Sequence, residues 1–404
     1  MSCLPSEMWN TRKDLSHRTM ETLASFPAQT MNSINDFYAT TVHNRINTEN
    51  DSTWERYRRR IDRELAWMEW QPERIIGKRI LDVGTGWQAL RFIELGAGEV
   101  VHRDLSSAQV DWLSREAMRL GIGNLHSRSA DLCGDWRVEG QFDLIFLLGV
   151  YHHLADPGAM LDEAMKRLNP NGALFLRLYR SGTWSRWLMA YLRRVATSLT
   201  PALMEKAHTI QFPLENDHGF LGNMLDDLFT PVWSAFHPDA FERSAAHLGG
   251  TVRTEADRFI WDFSDRDENF RVLFIRSPDS PDVSANLRAI PPPCVYPVDQ
   301  ITLPLNTPEA CRVARKLDEA VAFLLDLHDD FERACRLLTL CRLIRRFDTL
   351  SYYAPPGDKP MNAAANLNPE IATSTRQNSE HPNLGSCRLH SLETILQRWE
   401  SGAS

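Results

Sequence analysis

The period of the apolar positions changes twice along this chain, and the changes divide it into three zones. From about Asn50 to Trp70, Trp54, Tyr57, Ile61, Leu65 and Met68 recur at intervals of three and four, the spacing of one face of an α-helix. The other face carries Arg56, Arg58, Arg59, Arg60 and Arg63, interleaved with Glu55, Asp62 and Glu64. Mixed signs of this kind read as a solvated helix face in preference to a nucleic-acid patch. Residues before Asn35 are largely polar and are expected to be mobile.

From about 75 to 277, short β-rich runs alternate with helical segments. RILDVG, EVVHRDL, NLHSRSAD, FDLIFLLGV and ALFLRLY read as strands, and the alternation predicts a parallel sheet joined by crossover helices. LIFLLGV is apolar without a break, as a central strand covered on both faces should be. A segment from Ser181 to Phe236 interrupts the pattern. HPDAFERSAAHLGG then reads as a helix, and TVRTEADRF and FRVLFIRS as two late strands able to form an antiparallel hairpin at the sheet edge. A Pro-rich linker runs from Ser277 to Leu305. Thr307, Pro308 and Glu309 make a helix start. The apolar spacing that follows predicts two helices, or one kinked helix, ending near Phe347. From Ala354 onward Pro, Asn, Ser and Gly dominate and predict disorder, with room for a short closing helix in SLETILQRW. The expected divisions are an N-terminal helical segment 1–74, a core 75–277 containing a helical insertion 181–236, a linker 278–306, C-terminal helices 307–350 and a tail 351–404.

Composition narrows the class. Of 404 residues 43% are apolar and 24% charged, so disordered and fibrous classes are excluded. Lys and Arg number 45 against 53 Asp and Glu, a formal charge of −8, which lacks the basic excess of a dedicated nucleic-acid binder. Seven cysteines without a C-x-x-C pair fit neither a disulfide framework nor a zinc ribbon. The first residues hold no signal-like apolar stretch, and no segment has the ~18 apolar residues of a membrane span. A cytoplasmic location is expected.

Chemistry concentrates in ILDVGTGWQALRF, a strand, a tight turn and a helix start. Gly84 and Gly86 let the backbone approach a ligand, and Thr85 lies between them. Read as G-x-G-x-x-A with Ala89, the stretch also fits a dinucleotide fingerprint. Asp82, however, stands at the strand end, where a carboxylate attracts an ammonium group and repels a pyrophosphate. Asp104 closes the second strand, where an acid accepts hydrogen bonds from ribose hydroxyls. Asp131 closes the third and is placed to reach an exocyclic amine. The fourth strand runs into GVYHHLADP.

As an ordered set, these residues resemble the class I, Rossmann-like S-adenosylmethionine-dependent methyltransferase superfamily over about residues 75–277. FDLIFLLGVYHHLADP followed by LNPNGALFL is similar to its small-molecule branch. The resemblance implies an α/β fold: a mostly parallel seven-stranded sheet with an antiparallel edge strand, helices on both faces, and here an N-terminal helix, a helical insertion and a C-terminal helical extension. It implies S-adenosylmethionine as cofactor, held by Asp82, Gly84, Thr85 and Gly86 at the methionine part, Asp104 and Leu105 at the ribose, Asp131 and Leu132 at the adenine, and Leu148 after the fourth strand. Two departures stand out: Gln88 where many members have a third glycine, and Asn171 within the Pro170 to Gly172 turn.

Methyl transfer from a sulfonium needs the nucleophile held in line, and a base only where a proton must leave. His152 and His153 lie at the ligand-binding end of the sheet and are the candidate catalytic residues, with at most one touching substrate. The fourth-strand segment lacks the Asp/Asn-Pro-Pro-aromatic pattern used on planar amines. The aromatic-rich 181–236 segment, which includes His208, His218, Asp226 and Asp227, reads as a substrate lid or a helical subdomain; no spacing in it makes a metal site. The expected partner is a small-molecule metabolite methylated on oxygen or nitrogen, without nucleic acid or membrane. The C-terminal helices pack on the core or mediate a homodimer. The alternatives are an RNA (tRNA) methyltransferase, a catalytically silent partner subunit and, last, a dinucleotide-dependent oxidoreductase.

Overall fold

A computed structural model describes residues 37–38, 51–134, 136–180, 184–212, 218–236, 238, 241, 250–254, 269–278, 294–295, 308–352, 396–397 and 399. The strands β1 (Arg79–Val83), β2 (Glu99–Asp104), β3 (Leu125–Ser129), β4 (Phe142–Leu148), β5 (Leu168–Tyr179), β7 (Gly250–Thr254) and β8 (Asn269–Arg276) form one seven-stranded sheet in the order β3-β2-β1-β4-β5-β8-β7. All pairings through β5 are parallel; β8 runs antiparallel to both β5 and β7, so the late hairpin forms as the sequence predicts. The chain order reverses at β1 and β4, leaving a crevice at their carboxyl ends where open α/β sheets bind ligands.

Alternation along each strand feeds two cores. Ile80, Leu144, Phe146 and Phe175 face α1 (Asp51–Trp67), α2 (Trp87–Glu94) and α3 (Ser107–Arg119), whose Ile61, Phe92 and Leu113 are fully buried. Leu81, Val83, Ile145 and Leu147 face the opposite side, with Met160, Leu161 and Ala164 of α4 (Pro157–Arg167). The expected N-terminal helix is α1, with Tyr57, Ile61 and Leu65 buried.

The insertion holds α5 (Trp184–Ala196), α6 (Pro201–Gln211) and α7 (His218–Phe229), then the two-residue strand β6 (Ser234–Ala235), which pairs with β9 (Cys294–Val295). Two C-terminal helices follow, α8 (Pro308–Asp326) and α9 (Asp330–Tyr352), so the chain breaks its late helical pattern near Leu327 and does not kink through it. Helix α9 runs beyond Phe347 and into the segment read as tail. All five helices share a third core, in which Leu192, Leu225, Leu317, Leu324 and Leu338 are fully buried. Leu396 and Trp399, within the SLETILQRW stretch, are buried in the same core. The C-terminal helices therefore pack on the insertion. The polar N-terminal stretch before Asn35, most of HPDAFERSAAHLGG, the second half of TVRTEADRF and most of the linker and tail lie outside the described residues.

Candidate functional site

A cavity of about 340 Å³ opens at the carboxyl ends of β1, β2, β4 and β5, within the range of small-molecule sites. One half is walled by Gly84 and Thr85 after β1, Asp104 and Leu105 at the end of β2, Asp131 and Leu132 after β3, and Leu148 at the end of β4. The structure thus brings together these seven residues picked out from sequence. Gly86 and Asp82 lie behind this wall.

The turn after β1 is shaped by backbone geometry. Gly84 has φ +127°, and a Cβ there would stand 3.1 Å from Val150 Cγ2; Gly86 has φ +78°, a region that side-chain-bearing residues avoid. Three polar side chains brace the turn from beneath. His102 Nε2 donates to Gly84 O at 2.7 Å, and its Nδ1 accepts from Ser127 Oγ at 2.8 Å. Burial drives the His102 pKa down to about 4, so the ring is neutral and holds this tautomer at neutral pH. Thr85 Oγ1 donates to Gln88 Oε1 at 2.9 Å, and Gln109 Nε2 donates to Thr85 O. Gln88, the departure from the three-glycine pattern, is buried and ties down the turn at the foot of α2.

Asp82 shares its sheet face with Ile80 and is fully buried under this turn; neither carboxyl oxygen has a hydrogen-bond partner among the described residues. Burial raises its pKa well above the ordinary value, against the pull of the Ala89 and Val83 amides. Asp104 Oδ1 accepts from Ser106 N at 2.7 Å, and burial lifts its pKa to about 7. Asp131 Oδ1 accepts from Cys133 N at 2.8 Å. Each of the latter two carboxylates spends one oxygen on its own turn and keeps the other for a ligand.

The other half of the cavity is lined by His152, His153, Arg177 and Tyr179, by Asn223, Asp226 and Asp227 of α7, by Tyr38, and by Tyr57 and Arg60 of α1. His152 Nδ1 accepts from Tyr179 N at 3.3 Å, and its ring stacks on Tyr179 with centroids 3.4 Å apart. His153 Nδ1 donates to Val232 O at 2.9 Å, which leaves Nε2 to face Asp226 Oδ2 at 3.7 Å. Tyr38 donates to Asp226 Oδ1 at 3.0 Å; burial, then the Asp226 charge, hold its phenol well above the ordinary range, so it stays a donor. Tyr179 Oη lies 3.4 Å from Asp227 Oδ1 and 3.5 Å from Asp226 Oδ2.

Sequence reasoning missed Arg60 and Tyr38. Arg60 has a readable signal, since it stands three residues after Tyr57 and four before Glu64, on the buried stripe of α1. Tyr38 has none, being joined to its partner Asp226 only by the fold. Asp226 and Asp227 enter the sequence reading as members of the lid or subdomain segment, without a role in the chemistry; among the described residues no group of three or more His, Cys, Asp or Glu could hold an ion. His208 packs on Phe212 with centroids 5.7 Å apart and is not on the cavity wall.

The sheet order, the glycine turn and the acids that close β2 and β3 are those that the resemblance to class I, Rossmann-like S-adenosylmethionine-dependent methyltransferases implies. Residues 53–220 match the family described as a methyltransferase domain, for which the sequence resemblance implies S-adenosylmethionine as cofactor. The site's donor set fits that group: a free acid oxygen for a ribose, and an apolar wall of Leu105, Leu132 and Leu148 for a base.

Among curated proteins the chain is 26% identical over 136 residues to the ubiquinone biosynthesis O-methyltransferase of Erwinia tasmaniensis, covering 31% of this chain and 52% of that one. It is 31% identical over 110 residues to the protein of the same name from Nitrobacter winogradskyi, covering 25% and 38%. The chain thus spans about half the length of one curated relative, and less of the other. Among solved structures it is similar to magnesium protoporphyrin IX methyltransferase from Synechocystis PCC 6803 with bound SAH, with a TM-score of 0.38, 16% identity, and 61% of this chain and 99% of that chain covered. Among the described residues no helix is long and apolar enough to cross a membrane.

Proposed function

We propose that this protein transfers a methyl group from S-adenosylmethionine to an oxygen or nitrogen of a small molecule enclosed between the sheet and the helical insertion. The observation that carries this reading is His153. Its Nδ1 proton is committed to Val232 O, so its free nitrogen, Nε2, is the one beside Asp226. A base in this position takes the acceptor's proton, and the Asp226 carboxylate stabilises the imidazolium that results. When bound, the cofactor supplies an electrophilic methyl group with a neutral thioether as leaving group.

The chain's own residues do the rest. Asp82 backs the turn from behind the cavity wall, Asp104 accepts from ribose hydroxyls, and Asp131 with Leu132 flanks the adenine. Leu148 and the Gly84 to Gly86 turn fix the line along which the acceptor approaches. His152, with Nδ1 accepting from Tyr179 N and its ring stacked on Tyr179, is a positioning residue; this separates the two histidines that the sequence left as a pair. Tyr38 and the α7 acids close the chamber over the acceptor, which supports the lid reading of the insertion.

The names of the two relatives, ubiquinone biosynthesis O-methyltransferases, fit an oxygen acceptor, and a cavity of about 340 Å³ suits a metabolite. The test is methyl transfer from labelled cofactor into a metabolite extract, with intact protein and His153→Gln in parallel. Label entering a small molecule with the intact protein only is the expected result. Label entering RNA in preference, or equal turnover by the variant, would overturn the reading.

A further inference from the structure

Arg60 is the charged residue of the site that the proposed reaction leaves without a task. It lines the cavity from α1, half-buried; among the described residues Tyr57 and Glu64 act on it through their charge, without a hydrogen bond or close ion pair to its guanidinium. Arg177, at the end of β5, lines the same cavity with its side chain 9% exposed, and its Nε has no hydrogen-bond partner among the described residues. Burial, then the charge on Arg177, bring the Arg60 pKa down to about 10, so Arg60 remains a cation at neutral pH.

The nearby acids are already engaged. Glu64 is fully buried and shared between Arg177 Nη1 and Arg271 Nε. Asp226 and Asp227 hold the hydroxyls of Tyr38 and Tyr179, and their charges also act on Arg193. Two guanidiniums face one cavity with N–H donors that no acceptor among the described residues takes up, and such donors are matched when a ligand brings acceptor oxygens.

Topology says which ligand. The turn after β1 and the acids after β2 and β3 occupy one side of the crevice. Arg177 on β5 lies on the other, beside Asn269 of β8, which also lines the cavity. We propose that Arg60 and Arg177 form an oxyanion subsite for the methyl acceptor, so that the substrate is an acid carrying a carboxylate or phosphate a short distance from the methylated atom. The planar guanidinium fork suits either group. This inference rests on the methyltransferase reading.

The test uses the full chain saturated with S-adenosylhomocysteine, titrated with benzoate, phenyl phosphate and the uncharged benzamide by calorimetry. Benzoate or phenyl phosphate should bind, with benzamide weaker by about tenfold or more. Arg60→Gln should abolish that preference while keeping S-adenosylhomocysteine affinity, and Arg60→Lys should restore part of it. If the three probes bind alike, or none binds, the subsite is overturned. If Arg60→Gln weakens S-adenosylhomocysteine and leaves the anions unchanged, the pair serves the cofactor's own carboxylate and the acceptor assignment falls. Failure of S-adenosylhomocysteine to bind the intact chain at all would instead refute the methyltransferase reading, and the same anion titration of the ligand-free chain would then decide the subsite separately.

Discussion

Replacing Glu64 by Gln tests the joint between α1 and the sheet. The carboxylate is fully buried, accepts from Arg177 and Arg271, and ties the first described helix to β5 and β8. Burial pushes its pKa up, but Arg177 and Arg271 together outweigh that, and the carboxyl sits below the ordinary glutamate value. Gln keeps the shape and one acceptor oxygen but removes the carboxylate charge that buried Arg177 and partly buried Arg271 share. Removing one partner of a buried ion pair costs about 3–5 kcal/mol, against a total stability of roughly 5–15 kcal/mol for a domain. At about 2–4 °C per kcal/mol for a domain of this size, Tm should fall by roughly 6–20 °C.

Urea unfolding read by circular dichroism measures the free energy directly, and pairing Glu64→Gln with Arg271→Gln should recover part of the loss, because the excess charge is then halved. The pH dependence has a definite sign. A carboxyl whose folded pKa is depressed contributes stability above its unfolded value and loses it as pH falls through the folded one, so the intact protein should weaken below the ordinary glutamate pKa and Glu64→Gln should weaken less there. A loss under about 1 kcal/mol, with an unchanged acid limb, would refute the view that this triad holds α1 in place.

Three further outcomes are expected. His153→Gln should lower kcat by about 10²-fold or more while the melting shift given by S-adenosylhomocysteine persists; full turnover would remove the base. Affinity for S-adenosylhomocysteine should rise as pH rises through about 7, where Asp104 ionises and becomes a full acceptor for ribose hydroxyls, and calorimetry on Asp104→Asn should find weaker binding with that step gone. Gly86→Ala should cost about 1–2 kcal/mol in chemical denaturation for its left-handed backbone; the added Cβ also meets Leu113 Cδ2 at 2.9 Å, a flexible side-chain end that can yield.

The sheet was legible because β1, β2, β4 and β5 each carry an apolar run bounded by turn residues, and the wall residues Gly84, Asp104 and Asp131 were legible because each stands at or just past a strand end. Local patterns say less about side chains that meet across the fold. Asp226 lies on a helix whose sequence carries no mark of His153, and their meeting depends on how α7 settles over β5. Arg60 was hidden by its neighbours. Arg58 pairs with Glu55 and Glu94 at the surface, as a solvated face should, while Arg60 two positions on turns inward. A run of arginines reads as one face only until the helix phase of each is followed separately. Gln88 looked like a loss from a motif; its hydrogen bond to Thr85 makes it part of the turn's support.

The core shared by α5, α6, α7, α8 and α9 also sets an order of events during synthesis. A ribosome that has just released α7 has produced three helices whose apolar faces await Val313, Leu317, Leu324 and Leu338, which are still to be translated. The parallel strands β1 to β5 are complete by then and can pair first, so the chamber's floor precedes its roof. A nascent chain paused between these points would leave the insertion's leucines uncovered by their native partners, an exposure of the kind that favours aggregation.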